Sequence, residues 1–219
     1  MTTSRAKLPS HTAALAGIPA GIQAAGPWSG RRQLFVRFAG EAETATIYTS
    51  DALKSELKRL AARSRYHSIA IAGRDPLAEA EYLVAALDES APLPVMLDHD
   101  GQRPDALPPL LRSLTLVQVR VNGVASDAVL ERVGATLALA AGKQVKHALV
   151  IEPAADTSDA VLLRIVERAA TASAGTEVVL HPTAETVADR RWIVWLERAS
   201  QVHGDVRVVP SLPVPTGMR

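Results

Sequence analysis

Asp98-His99-Asp100-Gly101 closes a short apolar run and sets three titratable side chains in a row. Alternate residues of an extended chain share a side, so Asp98 and Asp100 project together and His99 projects the other way. Two carboxylates can converge on a cation or a ligand amine. Two oxygens alone are too few for a metal, and a hard divalent ion would also need Glu41 or Glu43. The bland use of the same residues is a solvated turn with Asp100-Gly101 as its corner. Arg37 lies in a second apolar run, and its guanidinium fork suits a carboxylate through two parallel charge-assisted bonds. That carboxylate is either a ligand's or an internal one, Glu41 or Asp98. The chain has no cysteine, which excludes disulfides, cysteine-bound zinc and clusters held by thiolates. It also lacks a Gly-x-Ser-x-Gly elbow, a phosphate loop, a Gly-x-Gly-x-x-Gly turn and a His-Glu-x-x-His helix, so no hydrolase, nucleotide-binding or zincin motif stands out.

The elements that must position these groups alternate regularly. Strands are expected at Gln33 to Ala39, Ser68 to Gly73, Pro94 to Leu97, Thr115 to Val121, His147 to Glu152, Glu177 to His181 and Val206 to Val209, each rich in Val, Ile or Leu as in sheets covered on both faces. Helices are expected at Asp51 to Arg63, Leu77 to Glu89, Ser126 to Ala141, Ser158 to Ala172 and Ala188 to His203, with Ser50, Ser126 and Ser158 at their starts. Residues 1–20 carry no sustained period and read as a flexible arm, and residues 21–219 as one domain. Strand alternating with helix predicts a parallel α/β architecture, which a doubly wound sheet and an open barrel both satisfy. In either, function gathers at the carboxyl ends of the strands.

Several segments together resemble the 7-carboxy-7-deazaguanine synthases, small radical S-adenosylmethionine (SAM) enzymes. They are Gly21-Ile22-Gln23-Ala24-Ala25-Gly26-Pro27-Trp28, Leu34-Phe35-Val36-Arg37-Phe38-Ala39-Gly40, Ala72-Gly73-Arg74-Asp75-Pro76, Asp98-His99-Asp100-Gly101, Val179-Leu180-His181-Pro182 and Asp205-Val206-Arg207-Val208-Val209-Pro210. The resemblance runs from about Gly21 to Arg219. It implies a partial, open barrel of about six strands, of the β6/α3 kind, and a homodimer.

It also implies which chemistry is missing. The family's three cluster cysteines fall at Glu41, Ala45 and Tyr48, and Ala45 offers no ligand atom. An iron–sulfur cluster, and with it radical cleavage of SAM, is not expected. Gly73 and Asp75 match the turn that holds the SAM amino group, but Arg74 replaces a glycine and Asp75 is one methylene shorter than the family's glutamate, about 1.5 Å of reach. The same residues would equally serve a plain strand-to-helix turn. Arg37 matches the arginine that pairs with the substrate carboxylate, Gln23 a substrate-binding glutamine and Ser50 a magnesium-binding threonine, whereas Ala25 replaces a glutamate and Thr49 an aspartate. His181 and Ser211 stand for two glutamines, and Pro213 for a histidine. SAM and magnesium are therefore the two groups that the resemblance implies for such a crevice, and with these replacements no bound cofactor is expected.

The function these readings predict is a cluster-free pseudoenzyme that binds a small acid, a deazapurine, a pterin-like ligand or a partner enzyme. The alternative is an enzyme with acid–base or non-redox SAM chemistry from Asp98, Asp100, Glu41 or Tyr48. Lys and Arg number 24 against 23 Asp and Glu among 219 residues, so no attraction to nucleic acid or to an anionic membrane is expected. No apolar run reaches a membrane span, and the first residues lack an uninterrupted apolar core, so a cytoplasmic protein is expected. The run Trp192-Ile193-Val194-Trp195-Leu196 exceeds one buried stripe and suggests a surface for a second copy.

Overall fold

Short runs of Val, Ile and Leu too apolar for a solvated edge find cover only inside a layered sheet. The computed structural model, which describes residues 11–88, 91–183 and 185–210, joins them in one sheet of ten strands. In chain order these are β1 (Thr12–Gly17), β2 (Ala20–Ile22), β3 (Arg32–Phe38), β4 (Thr46–Thr49), β5 (Ser68–Gly73), β6 (Val95–His99), β7 (Leu116–Asn122), β8 (Lys146–Glu152), β9 (Glu177–Leu180) and β10 (Val206–Val208). The helices are α1 (Ser50–Arg63), α2 (Ala80–Ala86), α3 (Asp127–Gly142), α4 (Asp159–Ala172) and α5 (Arg191–Val202). All seven expected strands form, and β6 continues two residues further, so that Asp98 and His99 belong to the strand itself.

From β3 through β5, β6, β7, β8 and β9 to β10 the strands are parallel and lie in sequence order. A doubly wound sheet reverses its order at a switch point. This one does not, so right-handed crossovers would lay successive helices along one face. The main core fills that face, from Val36, Ile71, Leu97 and Val119 on the strands to Leu53, Leu137, Ile165 and Trp195 on the helices. The other face carries two smaller clusters, Ala70, Met96, Leu116 and Ala148 against Trp28 and Phe35, and Val150 and Val179 against Ala25.

The expected flexible arm is corrected over its described part. β1 lies between β3 and β4 with an antiparallel partner on each side, and Ala13 and Leu15 are buried. A run as plain as Thr-Ala-Ala-Leu-Ala-Gly has weak strand propensity, and partners on both sides supply what the sequence does not. Residues 1–10 lie outside the described residues.

Three further expectations change. Thr49, not Ser50, caps α1, its hydroxyl accepting from the Ala52 amide at 3.1 Å. The helix expected from Leu77 to Glu89 is a 3-10 turn, Pro76–Glu79, followed by the shorter α2, and Glu89 lies outside the described residues. Trp192 and Trp195 are both buried and meet edge to face at 5.1 Å, which leaves Ile193 and Val194 as the exposed part of that run. Among the described residues no helix is long and apolar enough to cross a membrane.

Gly73 ends β5 with φ of +102°, and a Cβ there would lie 2.4 Å from the Phe38 carbonyl oxygen and 2.6 Å from its nitrogen. Backbone cannot yield as a side-chain tip can. Gly73→Ala should therefore cost at least about 2 kcal/mol. Gly30→Ala, at φ +78° with nothing within 4 Å, should cost about 1 kcal/mol, the left-handed penalty alone. Urea denaturation of the two variants measures both, and equal losses would contradict the Phe38 contact.

Candidate functional site

The carboxyl ends of β5, β6 and β7 enclose a cavity of about 410 Å³. Alternation from the paired register puts Arg37, Ala72, Asp98, Gln118 and Ala148 across one rung of the second face. Arg120 and Glu152 stand further along β7 and β8. Asp98 receives Arg120 in a two-pronged grip, Nε to Oδ1 and Nη2 to Oδ2, both 2.8 Å, while Arg120 Nη1 donates to Glu152 Oε1 at 2.8 Å. Burial opposes the charge on Arg120, but the bonds and fields of Asp98 and Glu152 outweigh it and hold the guanidinium more firmly protonated than usual. With both oxygens so engaged, Asp98 is a poor general base.

Arg74, Asp75 and Pro76 form one wall of the cavity. Asp75 is left-handed (φ +43°), as is Arg103 (φ +54°), and the two join through Arg103 Nε and Asp75 Oδ2 at 2.7 Å. Asp75 Oδ1 is buried with no hydrogen-bond partner among the described residues. Arg74 turns outward to Glu41 at 2.8 Å and, with Asp75, also borders a neighbouring cavity of about 190 Å³. Asp100 accepts from the backbone and side-chain amides of Gln102 at 3.1 and 2.6 Å. The turn reading of Asp100 is therefore realised locally. His99, 5% exposed, also borders the cavity. Burial lowers its pKa to about 4 despite Asp100, Asp98 and Asp75 nearby, and its Nε2 has no hydrogen-bond partner among the described residues.

The candidates from the sequence divide. Gly73, Asp75, Asp98 and Asp100 come together around the cavity, and Gln23, buried, reaches Asp98 from its Nε2 at 3.4 Å. Arg37 does not join them. It is 49% exposed and pairs with Glu43 at 2.8 Å, neither of the internal carboxylates expected for it. The same Glu43 accepts from the Gly40 amide at 2.8 Å, so this ion pair locks the tight turn that stands where a cluster loop would be. Ser50 is buried at the start of α1, its amide bonded to the His11 carbonyl. His181 follows β9, with Nδ1 2.7 Å from the Val209 carbonyl oxygen. Neither Ser50 nor His181 lines this cavity. Ser211 and Pro213 lie outside the described residues.

Asp98, Asp100 and Glu41 or Glu43, the set that a hard divalent ion would need, do not converge among the described residues. Three of the four carboxylates already hold an arginine, and the described residues contain no group of three or more side chains placed to hold a metal. The groups the resemblance implies fit poorly. Glu41 is tied to Arg74, Ala45 has no donor, and Tyr48 lies in β4, packed against the core. Asp75 gives its Oδ2 to Arg103 and keeps only Oδ1 without a partner among the described residues, half of a free carboxylate's capacity for an amine.

Gln118, Arg120, Glu152 and Arg103 escaped the sequence reading. The signal for two of them was there, in Leu116-Val117-Gln118-Val119-Arg120-Val121-Asn122, whose polar residues recur every second position. That period points one polar stripe at one face.

Removing Arg120 strands Asp98 in a nearly dry site, so Arg120→Met should cost about 3 to 5 kcal/mol. Arg37→Ala breaks an exposed pair and should cost no more than about 1 kcal/mol. Denaturation midpoints compare them. For His99 the unfolded chain binds a proton below its ordinary pKa of 6.5, while the folded chain resists it down to about 4. Stability is thus complete above pH 6.5 and falls as the pH drops from there to about 4, by up to about 3 kcal/mol. His99→Gln should flatten that slope by one proton, and an unchanged slope would show that other groups carry it. The chain matches no known family model, and no curated protein matches it at a significant level.

Proposed function

We propose that this chain is a cluster-free protein of the 7-carboxy-7-deazaguanine synthase type, its open sheet a partial barrel, acting by binding a small polar molecule at the carboxyl ends of β5, β6 and β7. The observation that carries this reading is the cavity of about 410 Å³ bordered by Gly73, Asp75, Asp98, Asp100 and Arg120. Parallel α/β sheets place ligands at such strand ends. The cavity is walled by charged groups mostly held by partners, which suits recognition by fixed geometry. Radical chemistry is no part of the proposal, because thiolates are absent from the chain.

A second reading, acid–base catalysis in the same cavity, draws on His99, a neutral imidazole whose Nε2 lacks a partner among the described residues. Asp98 cannot serve it while both its oxygens hold Arg120.

Thermal shift against SAM, S-adenosylhomocysteine, pterins and deazapurines tests the proposal. A ligand at a hundred times its dissociation constant should stabilise the protein by about 2.7 kcal/mol. Asp100→Asn and Arg74→Ala, both at exposed positions on the cavity wall, should weaken that shift with little change in the unliganded protein. Stabilisation that survives both substitutions would move the site elsewhere, and chemical conversion of the ligand would favour the second reading.

A further inference from the structure

Gln118 lies on β7 beside Asp98 of β6 and Ala148 of β8, between Leu116 and Arg120 on the second face. Its side chain is fully buried, and neither amide atom has a hydrogen-bond partner among the described residues. A primary amide enclosed this way loses its water bonds and gains none in return. Gly26 lies over it, so close that a Cβ at that position would stand 1.7 Å from Gln118 Oε1.

Gly26 belongs to a loop that bonds chiefly to itself. The Gln23 amide donates to the Arg31 carbonyl at 2.9 Å, the Gly30 amide to the Gln23 carbonyl at 2.9 Å, and the Ser29 hydroxyl to the Ala24 carbonyl at 3.0 Å. Its side-chain hydrogen bond to the face it covers is the 3.4 Å contact from Gln23 to Asp98, and apolar packing completes the hold, Ala25 on Val150 and Val179 and Trp28 on the Met96 cluster and, edge to face at 4.9 Å, on His67. A loop closed on itself by hydrogen bonds, and held to the sheet by two apolar side chains and one long polar tether, can leave as a unit at the cost of exposing Ala25 and Trp28.

We propose that residues 23–31 are a withdrawable plug, and that the Gln118 amide reads a ligand in the space that its withdrawal opens. A primary amide sets a donor and an acceptor in one plane. It therefore pairs by two parallel hydrogen bonds with a planar ring that carries an N–H beside a C=O, a lactam or cyclic imide. Ala148, Val150 and Val179 line the same face with apolar surface for such a ring, and Asp98 and Arg120 stand at its polar end. This inference rests on the reading of the strand-end cavity as a small-molecule site, which it extends inward.

Uracil is the minimal probe, and 1,3-dimethyluracil, which keeps the ring and loses both N–H groups, is its control. Saturation-transfer NMR with the full chain at millimolar probe should show uracil binding and a signal at least fivefold weaker for the dimethyl compound. Uracil should also shift the emission of Trp28 to longer wavelength, because withdrawing the plug takes that indole from its cluster into water, and Trp28→Phe should lose the shift. Gln118→Met, of similar length and without the amide, should fold at least as stably as the parent and lose the uracil signal. Absence of uracil binding to the parent, equal binding of the two probes, retention in Gln118→Met, or binding with no change at Trp28 each overturns the proposal. A lactam-bearing pterin or deazapurine from the thermal-shift panel that stabilises the parent and Gln118→Met alike would overturn it too, while leaving the strand-end cavity in place. The comparison of the two probes needs no variant to fold.

Discussion

Arg120 holds one carboxylate from each neighbouring strand, Asp98 of β6 and Glu152 of β8. A single cation thus spans three parallel strands at their carboxyl ends. The backbone ladder fixes the strands' spacing but not the direction of their end side chains, and this grip supplies it. Desolvating such charges is expensive, and a well-packed apolar trio would often be as stable. The favourable part is orientation. Asp98 has no freedom left once Nε and Nη2 are both at 2.8 Å, so the wall of the cavity is set before any ligand arrives. Preorganisation of that kind reduces the ordering cost of binding.

The opposite wall is held by a different device. Gly73 and Gly101 have positive φ, and so do Asp75 and Arg103, which are not glycine. Left-handed backbone at a non-glycine residue costs on the order of 1 kcal/mol or more, and it persists where neighbours over-determine it. Here the neighbours are each other, since Arg103 and Asp75 form the ion pair that joins the two strained turns. Strain therefore sits on the two loops that border the cavity, while the strands behind them are regular.

How far the sequence revealed this follows from what each feature depends on. The seven parallel strands and the helix starts at Ser126 and Ser158 were legible, because apolar runs and capping hydroxyls are local signals. β1 was not, since Thr12 to Gly17 has no strand-forming pattern and becomes a strand through partners on both sides. β4 is a different failure. Thr46-Ile47-Tyr48-Thr49 has good strand propensity, but the resemblance filled that stretch with a loop. That Gly73, Asp75, Asp98 and Asp100 would border one cavity was legible because strand ends are predictable places. Arg37 was misplaced because nothing local distinguishes a guanidinium aimed at a ligand from one aimed at Glu43, six residues on.

The charges around the cavity are largely spent on one another. Arg120 takes Asp98 and Glu152, Arg103 takes Asp75, and Arg74 takes Glu41, so three arginines meet four carboxylates and Asp100, held by the amides of Gln102, adds a fifth, which leaves the cavity with a negative balance. A near-neutral chain, +1 overall, adds no long-range pull of its own. Selection by charge has only Asp100 to draw on there, because Arg37, the position that the resemblance implied for a free arginine, is engaged outside. What remains unspent is hydrogen-bonding capacity, at Asp75 Oδ1, His99 Nε2 and both atoms of the Gln118 amide. Unpaired donors and acceptors in a dry site discriminate far more sharply than apolar contact, because the wrong ligand leaves them unpaired. The discrimination this protein can exert therefore lies in the placement of those few neutral or half-satisfied groups, and the salt bridges around them serve to keep them in place.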